Sequence, residues 1–147
     1  MGFDLSALPV MSPEIQAFAI GFPTTLLHAG VTFLLLILGC VLYMLLSPHR
    51  EISQIREGNT AASISFGGLI LALALPLCMS LNAATSLVEI AVWGLAVVVV
   101  QLLAFWIVDV LLTGLPGRVR EGDVAAAGLL VAARLAVSMI LAAAVAG

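Results

Sequence analysis

Lysine is absent from this chain of 147 residues, whose strong cations are five arginines. Charged residues make up 9% of the sequence and the net charge is −3, which leaves no basic patch for nucleic acid. Cysteine occurs only at positions 40 and 78, both inside long apolar runs. That excludes a disulfide framework or a cysteine metal site and reads as two small buried hydrophobes. Paired His and carboxylate spacings, a nucleophile elbow and a phosphate loop are also missing, so the expectation is a protein that is not an enzyme and carries no cofactor.

Apolar residues are what the chain has in excess: 63% are hydrophobic and the mean hydropathy is +1.28, outside the balance of a soluble domain. A membrane-spanning helix needs about 20 mostly apolar residues. Four stretches qualify, at 24–46, 60–82, 88–113 and 123–145. The fold class predicted is therefore all-α integral membrane with four transmembrane helices. Too little chain remains for a soluble catalytic domain with its own core.

Residues 1–23 carry Asp4, Glu14, Pro9 and Pro13 and no basic group, which is not the pattern of a cleaved signal. They are read as an N-terminal interfacial segment. Ser12-Pro13-Glu14 marks a helix start, leading either to a short interfacial helix over 13–21 or to an outward extension of the first span.

Four of the arginines fall in two connections. Arg50 and Arg56 separate the first and second spans, and Arg118 and Arg120 separate the third and fourth. The other flanks carry only acidic groups, so the positive-inside rule places both loops in the cytoplasm. Both termini then lie outside, in the periplasm of a bacterial inner membrane.

The octapeptide "REGNTAAS" at Arg56–Ser63 returns as "REGDVAAA" at Arg120–Ala127. The same offset superposes Gly58 on Gly122, Asn59 on Asp123 and Gly30 on Gly94. This predicts a parallel tandem duplication of a two-helix hairpin, with repeats over 24–82 and 83–147. In each copy Gly permits a sharp turn, Asn59 or Asp123 caps the next helix, and Glu57 or Glu121 lies near the positive end of a helix dipole.

The run "SPHREISQIREGNTAASISFGG", followed by "LALPL", "WGLAVVVVQLLAF" and "EGDVAAA", resembles the YjfL-like inner-membrane proteins, the family catalogued as domain of unknown function 350. Matching positions are Pro48, His49, Glu51, Ile55, Asn59, Ala61, Ala62, Pro76, Trp93, Gly94 and Gln101. The resemblance covers about residues 25–145 and implies tandem two-helix modules in an envelope-maintenance setting, beside membrane-stress proteins similar to phage-shock protein A. It implies no biochemical activity. The chain departs from the family pattern at Arg134 and in its C-terminal "LAAAVAG".

Small residues at four-residue spacing mark helix contacts in lipid. Gly128, Ala132 and Ala136 form such a stripe on the fourth span, as do Ser63 with Gly67 and Gly68 with Ala72 on the second. All are expected to be internal seams. Pro76 should kink the second span and free the carbonyl of Ala72.

Arg134 lies about 16 Å into the fourth span and Gln101 about 18 Å into the third from the same surface, by helical rise. A hydrogen bond between them is the expected means of satisfying the guanidinium, with Asp109 as a charge partner. Arg134 and Ser138 lie on the face away from the small stripe. With that stripe inside, the polar face must meet a second subunit or line a water-filled path, so a homo-oligomer is expected. His28 and His49 lie at opposite ends and share no metal, and Trp93 and Tyr43 are expected as interfacial anchors.

Two functional expectations follow. The first is an oligomeric scaffold in membrane lipid whose cytoplasmic loops engage anionic headgroups or a peripheral partner similar to phage-shock protein A. The alternative is a small channel or transporter with Arg134, Gln101 and Asp109 along its path.

Overall fold

A computed structural model describes residues 12–47 and 51–147, and no strand occurs among them. Pro48, His49 and Arg50, together with residues 1–11, lie outside the described residues. Four long helices are apolar enough to cross a membrane: α1 (Pro13–Leu46), α3 (Thr60–Ala83), α4 (Leu87–Leu111) and α6 (Val124–Ala146). Two six-residue helices, α2 (Glu51–Arg56) and α5 (Leu115–Arg120), precede α3 and α6 at the arginine-bearing end of the bundle. The sequence reading left both as loop.

α1 runs without interruption through Gly21 and Pro23, so residues 13–23 extend the first span instead of forming a separate interfacial helix. Its 34 residues are about 51 Å long at helical rise, against a hydrocarbon layer of about 30 Å. The N-terminal part touches little. Only Leu35, Gly39 and Tyr43 of α1 are buried.

α3 is the central helix. Its contact with α6 is the most extensive in the bundle, and it also packs on α1 and α4. Lipid tails are as apolar as these side chains, so close packing has to supply the association that water exclusion supplies in soluble proteins. Ala61, Ala62 and Ala72 are fully buried, and a Cβ at Gly68 would overlap the side chain of Val131 on α6. The Gly68–Ala72 seam is therefore internal. Ser63 is exposed and Gly67 has nothing near its missing Cβ, so that pair is no seam.

On α6 the expected rotation is reversed. Gly128, Ala132 and Ala136 are exposed, while Ala127, Leu130, Arg134 and Ser138 are buried. An interior that offers a carboxylate, a hydroxyl and a free carbonyl satisfies Arg134 and Ser138 better than acyl chains do. Alanine and glycine lose little by facing lipid. At Pro76, which is buried, the carbonyl four residues back belongs to Ala72, and Ser138 Oγ donates to it across the α3–α6 contact.

The two turns at the arginine-bearing end share one geometry. Gly58 and Gly122 have φ of 89° and 90°, a backbone region that side chains with a Cβ rarely adopt. Gly58 N–H bonds Ile55 O and Asn59 N–H bonds Gln54 O; Gly122 and Asp123 repeat the pattern on Val119 and Arg118. These are Schellman motifs closing α2 and α5. Asn59 Oδ1 then accepts from Ala62 N–H and Asp123 Oδ1 from Ala126 N–H, each at 3.0 Å, starting α3 and α6. At the other end Ser86 Oγ accepts from Glu89 N–H at 3.2 Å, and Glu89 Oε2 accepts from Thr85 N–H at 2.8 Å, two bonds that fix the start of α4.

Candidate functional site: a charged network in the bundle core

Arg134 is 1% exposed, and its guanidinium faces the interior of the four-helix unit. Nη2 donates to Asp109 Oδ1 at 2.8 Å and Oδ2 at 3.1 Å, and to Tyr43 Oη at 2.7 Å. Tyr43 O–H in turn donates to Glu51 Oε1 at 3.2 Å. The chain Asp109–Arg134–Tyr43–Glu51 thus draws one residue each from α4, α6, α1 and α2. Aromatic faces hold the cation: its central carbon lies 5.1 Å from the Tyr43 ring centroid and 5.5 Å from that of Phe105.

The expected bond to Gln101 is not formed. Gln101 is fully buried, and neither its Nε2 nor its Oε1 has a partner in the structure. Equal Cα depth was the wrong criterion. Helical side chains lean toward the N-terminus of their own helix. α6 begins at the arginine-bearing end, so Arg134 reaches back to the level of Asp109 and Tyr43. α4 begins at the opposite end, so Gln101 leans away. A carboxylate also outcompetes a neutral amide for a guanidinium.

Tyr43 and Glu51 were missed as members of the site. Tyr43 is 6% exposed, which removes it from the interfacial belt, whereas Trp93 and Trp106 are both exposed. The usable signal was position: Tyr43 lies one turn from the end of α1, level with Asp109 near the end of α4.

Asp109 and Tyr43 also help to wall a groove of about 670 Å³ between α1 and α4, lined mainly by apolar groups such as Leu42, Leu103 and Trp106. The side chain of Asp109 is 26% exposed, so the ion pair is buried on the arginine side and open on the carboxylate side.

At the arginine-bearing surface, Asn59 does more than cap. Its Nδ2 donates to Val119 O at 3.1 Å and Arg120 O at 3.0 Å, tying the first turn to the last residues of α5. Its counterpart Asp123 instead accepts from Arg118 Nε at 2.9 Å. The Ala126 amide bond, with Arg118 second, holds the Asp123 carboxyl below the usual carboxylate range. The two cap positions therefore differ for a reason: carbonyls need a donor and an arginine needs an acceptor. Asn59→Asp, which keeps the cap but sets a carboxylate against two carbonyls, should cost about 1–3 kcal/mol. Asp123→Asn loses mainly an exposed ion pair and should cost less than Asn59→Asp. Thermal unfolding of the two variants in one detergent checks the order.

Arg56, Glu57, Arg120 and Glu121 are exposed around these turns. No group of three or more His, Cys, Asp or Glu residues suited to a metal occurs among the described residues.

The family model described as Domain of Unknown Function (DUF350) matches residues 17–145. This chain belongs to the DUF350 family. Two proteins of that kind, each called "UPF0719 inner membrane protein YjfL", from Escherichia coli K12 and O157:H7, are 32% identical to it over 107 residues, covering 73% of this chain and 80% of theirs. No solved structure matches. Membership in DUF350, an inner-membrane relative and four apolar helices make the chain a multi-pass inner-membrane protein. Within it, the charged network occupies the half of the bundle nearer the arginine-bearing turns.

Proposed function

We propose that this DUF350 protein is a non-enzymatic component of envelope maintenance that presents one composite surface, built from both arginine-bearing turns, to a peripheral cytoplasmic partner. The turns face the cytoplasm and both termini the periplasm, by the positive-inside rule. The observation that carries this reading is the Asn59 bridge, which joins two turns distant in sequence into a single platform. Their matched Schellman turns and caps suit two copies of one hairpin module.

Charge on the platform alternates in sign: Arg56, Arg118 and Arg120 stand among Glu57, Glu121 and Asp123. Such a surface suits a protein of complementary pattern better than a uniformly anionic lipid layer, which calls for excess positive charge. A partner similar to phage-shock protein A fits the setting that the family resemblance implies. Flotation of liposomes carrying the full chain with such a protein should show binding that weakens as salt is raised. Arg56→Gln with Arg120→Gln should reduce it about tenfold, the loss of roughly 1.4 kcal/mol. Undiminished binding would contradict the reading.

The channel alternative has less support, since of its three lining residues only Asp109 borders an open groove. Arg134 and Gln101 face the core of one chain, so a route between chains would not meet them. The polar-face argument for an oligomer falls with it. A second copy would have to approach through other surfaces, such as the exposed Gly128–Ala132–Ala136 stripe.

A further inference from the structure

A second, much smaller cavity is walled by Glu51, Gln54, Ser65, Arg120, Leu130 and Arg134 among others. Its free space is about 10 Å³, the room needed for one water molecule and no more. The residues around it carry five buried polar atoms without a partner: Glu51 Oε2, Gln54 Oε1, Ser65 Oγ, and Nε and Nη1 of Arg134. Native interiors leave few such atoms unsatisfied, and each costs about 1–3 kcal/mol when they do. Here they converge on one void.

We propose that this cavity is a binding site for a single water molecule, which donates to Glu51 and Gln54, accepts from Nε–H and one Nη1–H of Arg134, and makes Glu51 the proton-binding group of the network. The tally matches water alone. A monatomic cation would face Arg134, and an anion would face the Gln54 carbonyl and the Glu51 carboxylate. Water offers two donors to the Glu51 and Gln54 oxygens and two lone pairs to two of the three free guanidinium N–H bonds, which leaves the third for Ser65 Oγ.

The water closes a ring from Arg134 through Tyr43 to Glu51 and back. Around Glu51 stand Tyr43 from α1, Asp109 from α4, Arg134 from α6 and Arg120 from α5. One buried cation faces two carboxylates, so one carboxyl is in surplus. Burial pushes the Glu51 carboxyl above its ordinary range; Arg134 and the Tyr43 hydrogen bond oppose that shift and Asp109 adds to it. The fold thus shifts the Glu51 equilibrium toward its protonated form. Docking of α2 is at full strength below the ordinary carboxylate range and weakens as pH rises through the raised value.

The test is an infrared pH titration of the full chain in nanodiscs, paired with a high-resolution structure grown from lipid. A protonated-carboxyl band should persist to higher pH than exposed carboxylates allow, disappear in Glu51→Gln, and stay in Glu57→Gln. Gln54→Leu, which fills the void and expels the water, should raise the midpoint by about one pH unit, because ionised Glu51 loses a solvating partner. Circular dichroism confirms that each variant keeps its helices, and Ser65→Thr supplies a second way to fill the void if Gln54→Leu does not fold. The structure should show one water within hydrogen-bond distance of Glu51 and Arg134. A band independent of Glu51, a midpoint unmoved by filling the void, an empty cavity, or anomalous signal there from soaked bromide would each overturn the proposal.

Discussion

Asp109→Ala should destabilise the protein by about 3 kcal/mol, the lower end of the range for breaking a buried ion pair by removing one partner. The guanidinium it leaves behind is 1% exposed and, among the described residues, retains only Tyr43 as a hydrogen-bonding partner. The lower end applies because helices that separate within a bilayer find other partners for their polar groups. Arg134→Met should cost less, since the Asp109 carboxylate is 26% exposed and already borders the groove. The double variant Arg134→Met/Asp109→Ala should recover most of the loss, because no uncompensated charge remains. Unfolding of the four proteins in bicelles gives the coupling between the two residues. A value above about 1 kcal/mol is expected for residues in one network, and additivity would deny the contact.

Gly68→Leu should be the most damaging apolar substitution in the chain. Any Cβ at this position overlaps Cβ and both methyl groups of Val131, which are close to the α6 backbone and cannot swing aside. Overpacking costs about 1–3 kcal/mol in ordinary cores, and this site should reach the top of that range because the α3–α6 contact is the bundle's largest. Gly94→Ala meets instead the far end of the Leu35 side chain, which can rotate, so its cost should be smaller. Gly128→Leu should change stability by no more than about 0.5 kcal/mol, since nothing lies near that position. The sequence reading ranks Gly128 with Gly68 as a seam residue, so this pair of variants separates the two arrangements.

Much of the architecture was legible because it rests on local chemistry. Apolar runs long enough to cross hydrocarbon, a glycine at the end of each short basic stretch, and Asn59 or Asp123 one residue later locate all four spans and both turns. Rotation of a helix about its own axis is a different kind of fact. Both faces of α6 were eligible to pack: the small-residue stripe by shape, and the Arg134–Ser138 face by polarity. The decision belongs to groups on other helices, namely Asp109, Tyr43 and the carbonyl of Ala72, whose arrangement no local pattern reveals. Tyr43 illustrates the same limit. Near the end of a span it reads as an interfacial anchor, yet its ring stacks against the guanidinium and its hydroxyl joins two charged residues. Glu51 was visible as a position matching the family pattern, but with no partner to give it a role. Its role arises because α2 folds back against the bundle and buries it.

α6 turns Arg134 and Ser138 inward and its small residues outward. Oxygen accessibility of spin labels reads this rotation directly. The labels would be attached through Gly128→Cys, Leu130→Cys, Ala132→Cys and Ser138→Cys, each in a chain with Cys40 and Cys78 replaced by Ala. In a bilayer, high accessibility at 128 and 132 with low accessibility at 130 and 138 is the predicted result. Shielding at 128 and 132 with open exposure at 130 and 138 would contradict it.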